Sequence, residues 1–314
     1  MPENIPDIDV SSLAAPLYVI LILAEIIAIK FRKAGGYYEA KDASASIFMG
    51  AGSAVINGSL NFITLAVFWF AYELAPIKLP FNIWTFAACF VLWDFTYYWA
   101  HRYYHRSRWG WAAHVVHHSS QHYNLSTALR QSWSSLLSGA FILFVPLALL
   151  GFHPALILLC GGLNLIYQFW FHTEFIDKFP KWFEAVMNTP SHHRVHHANN
   201  PRYLDANYAG VFIIWDRMFG TFVPELETDP PRYGLVNDIG TFNPIRIAFH
   251  EYVGIIKDIS AAKLSLWQRI QYVFRPPGWC HDGSRLSSEQ IKSEYLKQHP
   301  DQKATPGLKV NISD

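Results

Sequence analysis

Apolar residues run in long blocks along this chain as far as residue 171 and mix with polar ones thereafter. The first block, "LAAPLYVILILAEIIAI" at residues 13–29, is long enough to span a bilayer, with Glu25 as an interruption. A second covers 46–74, where glycines together with Asn57 and Asn61 predict a helix packed on protein rather than facing lipid. A third runs over 80–100. A fourth (136–150) and a fifth (153–171) flank the turn signal "GFHP". Both are short, so they predict a hairpin that need not cross the bilayer fully.

Charge around the first block orients the set. Glu3, Asp7 and Asp9 precede it; Lys30, Arg32 and Lys33 follow it. The basic flank places the following loop in the cytosol, and a secretory leader, which would start positively charged, is not expected. Counting crossings from there puts residues 101–122, His172 and residues 192–197 on one face, expected to be cytosolic. Beyond residue 198 the chain is soluble in character. Its segment "LSLWQRIQYVF" fits a helix lying on the membrane surface or one packed on the cytosolic domain. The end, "KQHPDQKATPGLKVNISD", reads as a disordered tail.

The expected fold is therefore all-α. It is an integral membrane helical bundle of about four transmembrane helices, two of them the short hairpin, under a cytosolic helical cap. Transmembrane helices occupy 1–100, a catalytic region 101–222 with the hairpin at 136–171, and a soluble region 223–314. Composition agrees: the 314 residues are 51% hydrophobic and only 16% charged, against about 25% charged in soluble proteins. A net charge of +1 leaves no footprint for nucleic acid. Cys89, Cys160 and Cys280 are too far apart for a disulfide framework or a Cys-x-x-Cys metal pair.

Histidine changes the picture. Of fifteen, twelve lie between His101 and His197. His101 and His105 stand in "WAHRYYHR", His114, His117 and His118 in "AAHVVHHSS", and His193, His196 and His197 in "SHHRVHH"; His172 stands alone after the hairpin. Four-residue spacing puts His101 and His105 on one helical face, and in each H-x-x-H-H the first histidine shares a face with the other two. So many imidazoles on one face would repel if charged and be unsatisfied if buried. Metal resolves both problems, and the number exceeds the four ligands of a structural zinc site, so two metals are expected. Ligand type alone does not name the metal. Asp94, two turns before His101, is a candidate for orienting a liganding imidazole; Asn124, Asp205 and Asn207 are similar candidates. His192 is an alternative ligand to His193. Arg130 and Arg194 could contact a polar head group or a cofactor, or simply face solvent.

These residues resemble the three histidine boxes of the fatty acid hydroxylase and sterol desaturase superfamily of membrane di-iron enzymes. The resemblance covers roughly residues 94–222. It implies two iron ions bound by the nine clustered histidines (zinc can substitute in a purified sample), O2 as co-substrate and a lipid as substrate. The stretches "HHSSQHYNLSTALRQS", "YQFWFHTEFI", "TPSHHRVHHANN" and "NYAGVFIIWDRMFGTF" are most similar to members that hydroxylate the carbon next to the ether oxygen of glycerol ether lipids. Those members draw electrons from tetrahydrobiopterin; another reductant is the alternative. In those members an acidic residue stands at the position of Arg106, and the "PPGW" region here resembles bacterial members. The membrane implied is a bacterial inner membrane or the endoplasmic reticulum, with the active site on its cytosolic face. A desaturase of sterol-like lipids shares the same site. A metal transporter would hold its ligands near the bilayer midplane, whereas these lie beyond the helix ends. Bis-histidine haem ligation would leave most of the set unused.

Overall fold

The computed structural model describes residues 13–32 and 35–300. Most of the expected tail, residues 301–314, lies outside the described residues. The regular elements of the described residues are helices: α1 Ala15–Arg32, α2 Ala40–Leu74, α3 Ile83–Arg106, α4 Arg108–His118, α5 Pro154–Trp170, α6 Pro190–His197, α7 Pro244–Ile259, α8 Leu266–Phe274 and α9 Ser288–Gln298, with shorter turns between them. Their starts follow from local chemistry. Asn82 Oδ1 accepts from Trp84 N and Thr85 N, both at 3.0 Å, and caps α3. His153 caps α5 through Nδ1, which accepts from Ala155 N at 3.2 Å. Prolines open α5, α6 and α7, where a missing N–H costs nothing. Ser107, extended at φ −127°, breaks α3 from α4 and turns the chain back over the end of α3.

Among the described residues, α2 is the helix both long and apolar enough to cross a membrane. Its 35 residues span about 52 Å at 1.5 Å each, well beyond the roughly 30 Å hydrocarbon core. It is packed on one side only. Half-buried Asn57 donates to Ser132 O at 2.8 Å, as packing on protein requires, and a side chain at Gly50 would lie 2.5 Å from Leu129 O. Asn61, Val55, Phe62 and Phe70 are exposed, so the expectation of a helix turned away from lipid holds for one face alone. In α1 the Glu25 interruption is a tether. Its carboxylate accepts from Leu125 N at 2.9 Å and from the hydroxyls of Tyr38 and Thr173.

The hairpin differs from expectation in its first arm. Residues 136–150 form no single helix but the short turns Leu136–Ser138, Ala140–Phe144 and Val145–Leu149. Gly139, at φ +73°, ends the first; Pro146, without an N–H, keeps the α pattern from running back into the preceding turn. The folded arm fills the space between α2, α3 and α5, where Phe68, Cys89, Leu147, Ala148, Leu156 and Cys160 make a buried apolar core.

Candidate metal centre

Four pieces of chain converge above this core. The last turns of α3 carry His101 and His105; α4 carries His114, His117 and His118; His172 follows α5; α6 carries His193, His196 and His197. All are buried except half-buried His114. Their ring nitrogens fall into two groups, each within 4.8 Å internally: His101, His105, His114, His118 and His196 in one, His117, His172, His193 and His197 in the other. Each H-x-x-H-H is split between them. The residues four apart, His114 with His118 and His193 with His197, share a group, while the middle residue crosses to the other. His172, isolated in sequence, is brought into the second group. His192 is in neither; its Nε2 lies 3.9 Å from Glu184.

Spacing within the groups is that of ligands. His101 Nε2 and His114 Nε2 are 2.8 Å apart, and His114 Nε2 and His118 Nε2 3.1 Å. In the second group His172 and His193 approach to 3.0 Å and His193 and His197 to 3.1 Å, again between Nε2 atoms. Two imidazole nitrogens at right angles on one ion, with bonds of roughly 2.1 Å, sit about 3.0 Å apart.

Proton placement tests whether a metal fits. His117 Nδ1–H donates to Arg130 O at 3.3 Å, and His172 Nδ1–H to Gln168 O at 2.8 Å. A carbonyl can only accept, so both neutral rings carry the proton on Nδ1 and a bare lone pair on Nε2. Those two Nε2 atoms are 3.2 Å apart. Lone pairs so placed repel unless a cation joins them. In the first group His101 Nδ1–H donates to Tyr208 O at 2.7 Å and His196 Nδ1–H to Ala206 O at 2.9 Å. Nε2 of His196 and Nε2 of His105 are buried with no hydrogen-bond partner, the orphaned acceptors a bound ion would satisfy. The donor set fits one cation per group.

Burial also keeps the rings neutral. Desolvation first, and repulsion by neighbouring imidazoles second, holds His114, His118, His193 and His197 well below the ordinary imidazole value; desolvation dominates for His117, which falls to about 4. Metal-free protein is therefore expected to lose stability as pH falls from about 6.5 towards 4. In that window the unfolded chain binds protons that the folded chain refuses, so stability rises with pH. Unfolding temperatures of chelator-treated protein between pH 4 and 8 check this, and a flat profile would count against a buried neutral set.

The carboxylates and amides expected beside the ligands divide. Asp205 does stand there: its Oδ1 is 3.4 Å from His105 Nδ1, and its Oδ2 3.8 Å from Arg106. It is held in a left-handed turn at φ +55°, a conformation Asp tolerates better than most residues. Asp205→Asn is expected to weaken metal affinity at the first group by about 10–100-fold and to leave the second group filled, as titration of each ion against a chelator would read.

Asp94 is a correction. Its carboxylate touches no imidazole; it accepts from Asn164 Nδ2 at 2.6 Å, Val211 N at 2.7 Å, Trp215 Nε1 at 2.9 Å and Phe212 N at 3.0 Å. It binds the 208–215 loop to α3 and α5, and this loop supplies the Tyr208 carbonyl to His101. A side chain at Gly210 would come within 2.7 Å of Asp94 Oδ1, so the loop can lie this close only with glycine there. Asn124 is a second correction. It caps the turn Leu125–Leu129, accepting from Ser126 N at 3.1 Å, and donates to Tyr37 O at 2.9 Å. Asn207 likewise serves the backbone, donating to His192 O at 3.0 Å and Val223 O at 2.8 Å. Arg194 does not face solvent: it is buried on Glu225, with Nε–Oε1 at 2.8 Å and Nη2–Oε2 at 2.7 Å. The groups that orient the imidazoles are mostly main-chain carbonyls of Arg130, Gln168, Ala206 and Tyr208. Residue type carries no signal for them.

Residues 86–221, which include all nine grouped histidines, match the family model described as fatty acid hydroxylase. Alkylglycerol monooxygenase of Homo sapiens is 38% identical over 303 residues, covering 95% of this chain and 66% of that protein. The alkylglycerol monooxygenase of Danio rerio is 38% identical over 293 residues, 91% of this chain and 64% of its own length. A cholesterol 25-hydroxylase-like protein of Danio rerio is 32% identical over 149 residues, 44% of this chain and 55% of that one. The chain spans a little under two thirds of the two monooxygenases. No solved structure matches it.

Proposed function

The chain belongs to the fatty acid hydroxylase family, and on that premise we propose that it is an iron-dependent, O2-dependent membrane oxidoreductase that hydroxylates a lipid. The reading favoured within that class is an alkylglycerol monooxygenase-like enzyme acting on the carbon next to the ether oxygen of a glyceryl ether. The observation that carries the metal part is the facing pair of bare Nε2 atoms on His117 and His172, 3.2 Å apart. In this reading His101, His105, His114, His118 and His196 hold one ion and His117, His172, His193 and His197 the other. Two bound irons supply the redox activation of dioxygen that side-chain acids and bases lack.

The protein's own part is to bind, orient and keep dry. The carbonyls of Tyr208, Ala206, Gln168 and Arg130 fix which nitrogen of His101, His196, His172 and His117 faces inward. Tyr104, stacked on His114 at 5.1 Å, and Trp111, 5.4 Å from His118, wall the first group with aromatic surface; Tyr123, 5.2 Å from His197, does so for the second. The exposed apolar faces of α1 and α2 suit contact with lipid tails. Histidines at and just beyond the ends of the apolar helices would meet a lipid from the membrane and a soluble reductant, such as a tetrahydropterin, from the cytosol. Hydroxylation next to an ether oxygen gives a hemiacetal, which collapses to an aldehyde and a glycerol derivative.

The test supplies iron-loaded protein with O2, a tetrahydropterin and a 1-O-alkylglycerol, and follows fatty aldehyde. Aldehyde release supports the reading. A new double bond or a hydroxylated sterol, with no aldehyde, would move the substrate elsewhere in the superfamily. Absence of reductant-dependent O2 uptake by protein holding two irons would overturn the oxygenase reading itself.

A further inference from the structure

The C-terminal helices carry an apolar face that the metal chemistry does not use. On α7 the residues Ile245, Phe249, Val253 and Ile256 recur at helical spacing and are all exposed, Val253 to 61%. Its opposite face is buried, with Ile247 and Ala248 packed in one cluster with Ala45, Met49 and Val116. On α8 the exposed residues are Leu266, Trp267, Ile270 and Phe274, with Trp267 at 65%.

The charges on α7 and α8 that stand outside ion pairs have one sign. Glu251 and Asp258 are each held by Arg108 at 2.6 Å, and Asp258 also by Arg285. Arg246, Lys257, Lys263 and Arg275 are exposed. On the wheel of α7, Arg246 and Lys257 fall at the edge of the apolar stripe, where long basic side chains can reach past buried methylenes to headgroups.

The face is also continuous with the apolar surface of α2. Exposed Phe48 of α2 lies 6.1 Å from the Trp133 ring, and Trp133 lies 6.5 Å from Phe249 of α7. Phe48 is less than two turns along α2 from Asp42, which sits in a buried polar pair. The junction thus falls where α2 changes from polar to apolar surroundings, the level of a membrane interface.

We propose that α7 and α8 lie in the interfacial layer of a lipid leaflet that carries anionic headgroups, with their apolar stripes among the upper acyl carbons and their lysines and arginines on the phosphates. The inference rests on α2 facing lipid and is independent of the metals. Such a seat fixes the height of the histidine-bearing cap above the leaflet, because α7 packs against α4.

Spin labels at Val253→Cys and Trp267→Cys, in full-length protein with Cys280→Ser, test this in nanodiscs of phosphatidylcholine with and without phosphatidylglycerol. Phe62→Cys on α2 is the lipid control and Glu294→Cys on α9 the water control. Collisions of the 253 and 267 labels with an aqueous nickel chelate are expected to be several-fold fewer than at 294 and close to those at 62. Adding Arg246→Glu and Lys257→Glu should move the 253 label towards water only where phosphatidylglycerol is present. Labels at 253 and 267 as wet as 294, with 62 dry, would overturn the proposal. Protection that persists in lipid-free detergent, with spin–spin coupling between copies, would overturn it in favour of a second copy of the chain. A wet label at 62 would remove the membrane reading of α2 and this inference with it, while metal content would still stand as a separate question.

Discussion

Replacing His196 with alanine is expected to empty one metal position and leave its neighbour filled, and replacing the adjacent His197 is expected to do the reverse. The two residues are consecutive on α6, yet His196 belongs with His101, His105, His114 and His118, and His197 with His117, His172 and His193. Iron per chain should fall from about two to about one in each variant, with different spectroscopic species remaining. Activity should fall by more than the roughly 100-fold that loss of a mere supporting group costs, since neither ion alone completes the centre. The double variant should bind neither tightly. An unfolding temperature for each metal-free variant close to that of metal-free wild type separates ligand loss from collapse of α6. Two irons retained in either folded variant would rule out the division of ligands drawn above.

That division marks where sequence reading stops. All nine grouped histidines were legible as candidates, because imidazoles so numerous on one side of apolar helices have few other stable environments. Their partition was not. A helix wheel puts His114 on one face with both His117 and His118, and sets those two about a quarter turn apart, so the pattern can serve two neighbouring ions without saying which residue serves which. In the folded protein α4 and α6 pack so that the middle histidine of each box turns across to the other group. The direction of that turn depends on how the two helices meet, which no local pattern contains.

The same limit explains the polar candidates. Asp94 and Asp205 looked alike as acidic residues near histidines. Asp205 reaches His105 because it sits in a left-handed turn directly beside the end of α3. Asp94 lies two turns deeper, and there the loop through Gly210 uses up its carboxylate with backbone N–H groups. Asn124 had a local alternative that sequence does suggest: Asn is a favoured N-cap residue, and here it caps a short helix with Thr127, three positions on, closing a capping box. Glu25 and the first arm of the hairpin show the complementary case. Glu25 interrupts an apolar block in the sequence, and Gly139 and Pro146 break another into turns; each break has a structural purpose, a tether for α1 and a folded arm that fills the core.

Arg130→Met is expected to destabilise the protein by roughly 3–5 kcal/mol, the cost of stranding a buried charge. The guanidinium is 1% exposed. Its Nη2 lies 2.8 Å from Asp42 Oδ1 in the first turn of α2, its Nε 3.1 Å from Ser46 Oγ, and its Nη1 3.1 Å from Ser119 Oγ at the end of α4. The side chain thus joins α2 to α4, and the main-chain carbonyl of the same residue receives His117 Nδ1–H at 3.3 Å. Removing the arginine leaves the Asp42 carboxylate buried with Ser120 Oγ at 2.5 Å as its remaining close partner. Asp42→Asn added to Arg130→Met should restore part of the loss, because no charge is then stranded; the double-mutant cycle reads the coupling directly. Metal content separates the two roles of this residue. If the side chain only braces the helices, Arg130→Met binds both ions once folded. If the brace also fixes the carbonyl, the second group weakens selectively while His101, His105, His114, His118 and His196 keep theirs. A variant as stable as wild type would mean that Asp42 and Arg130 are not a buried pair in solution.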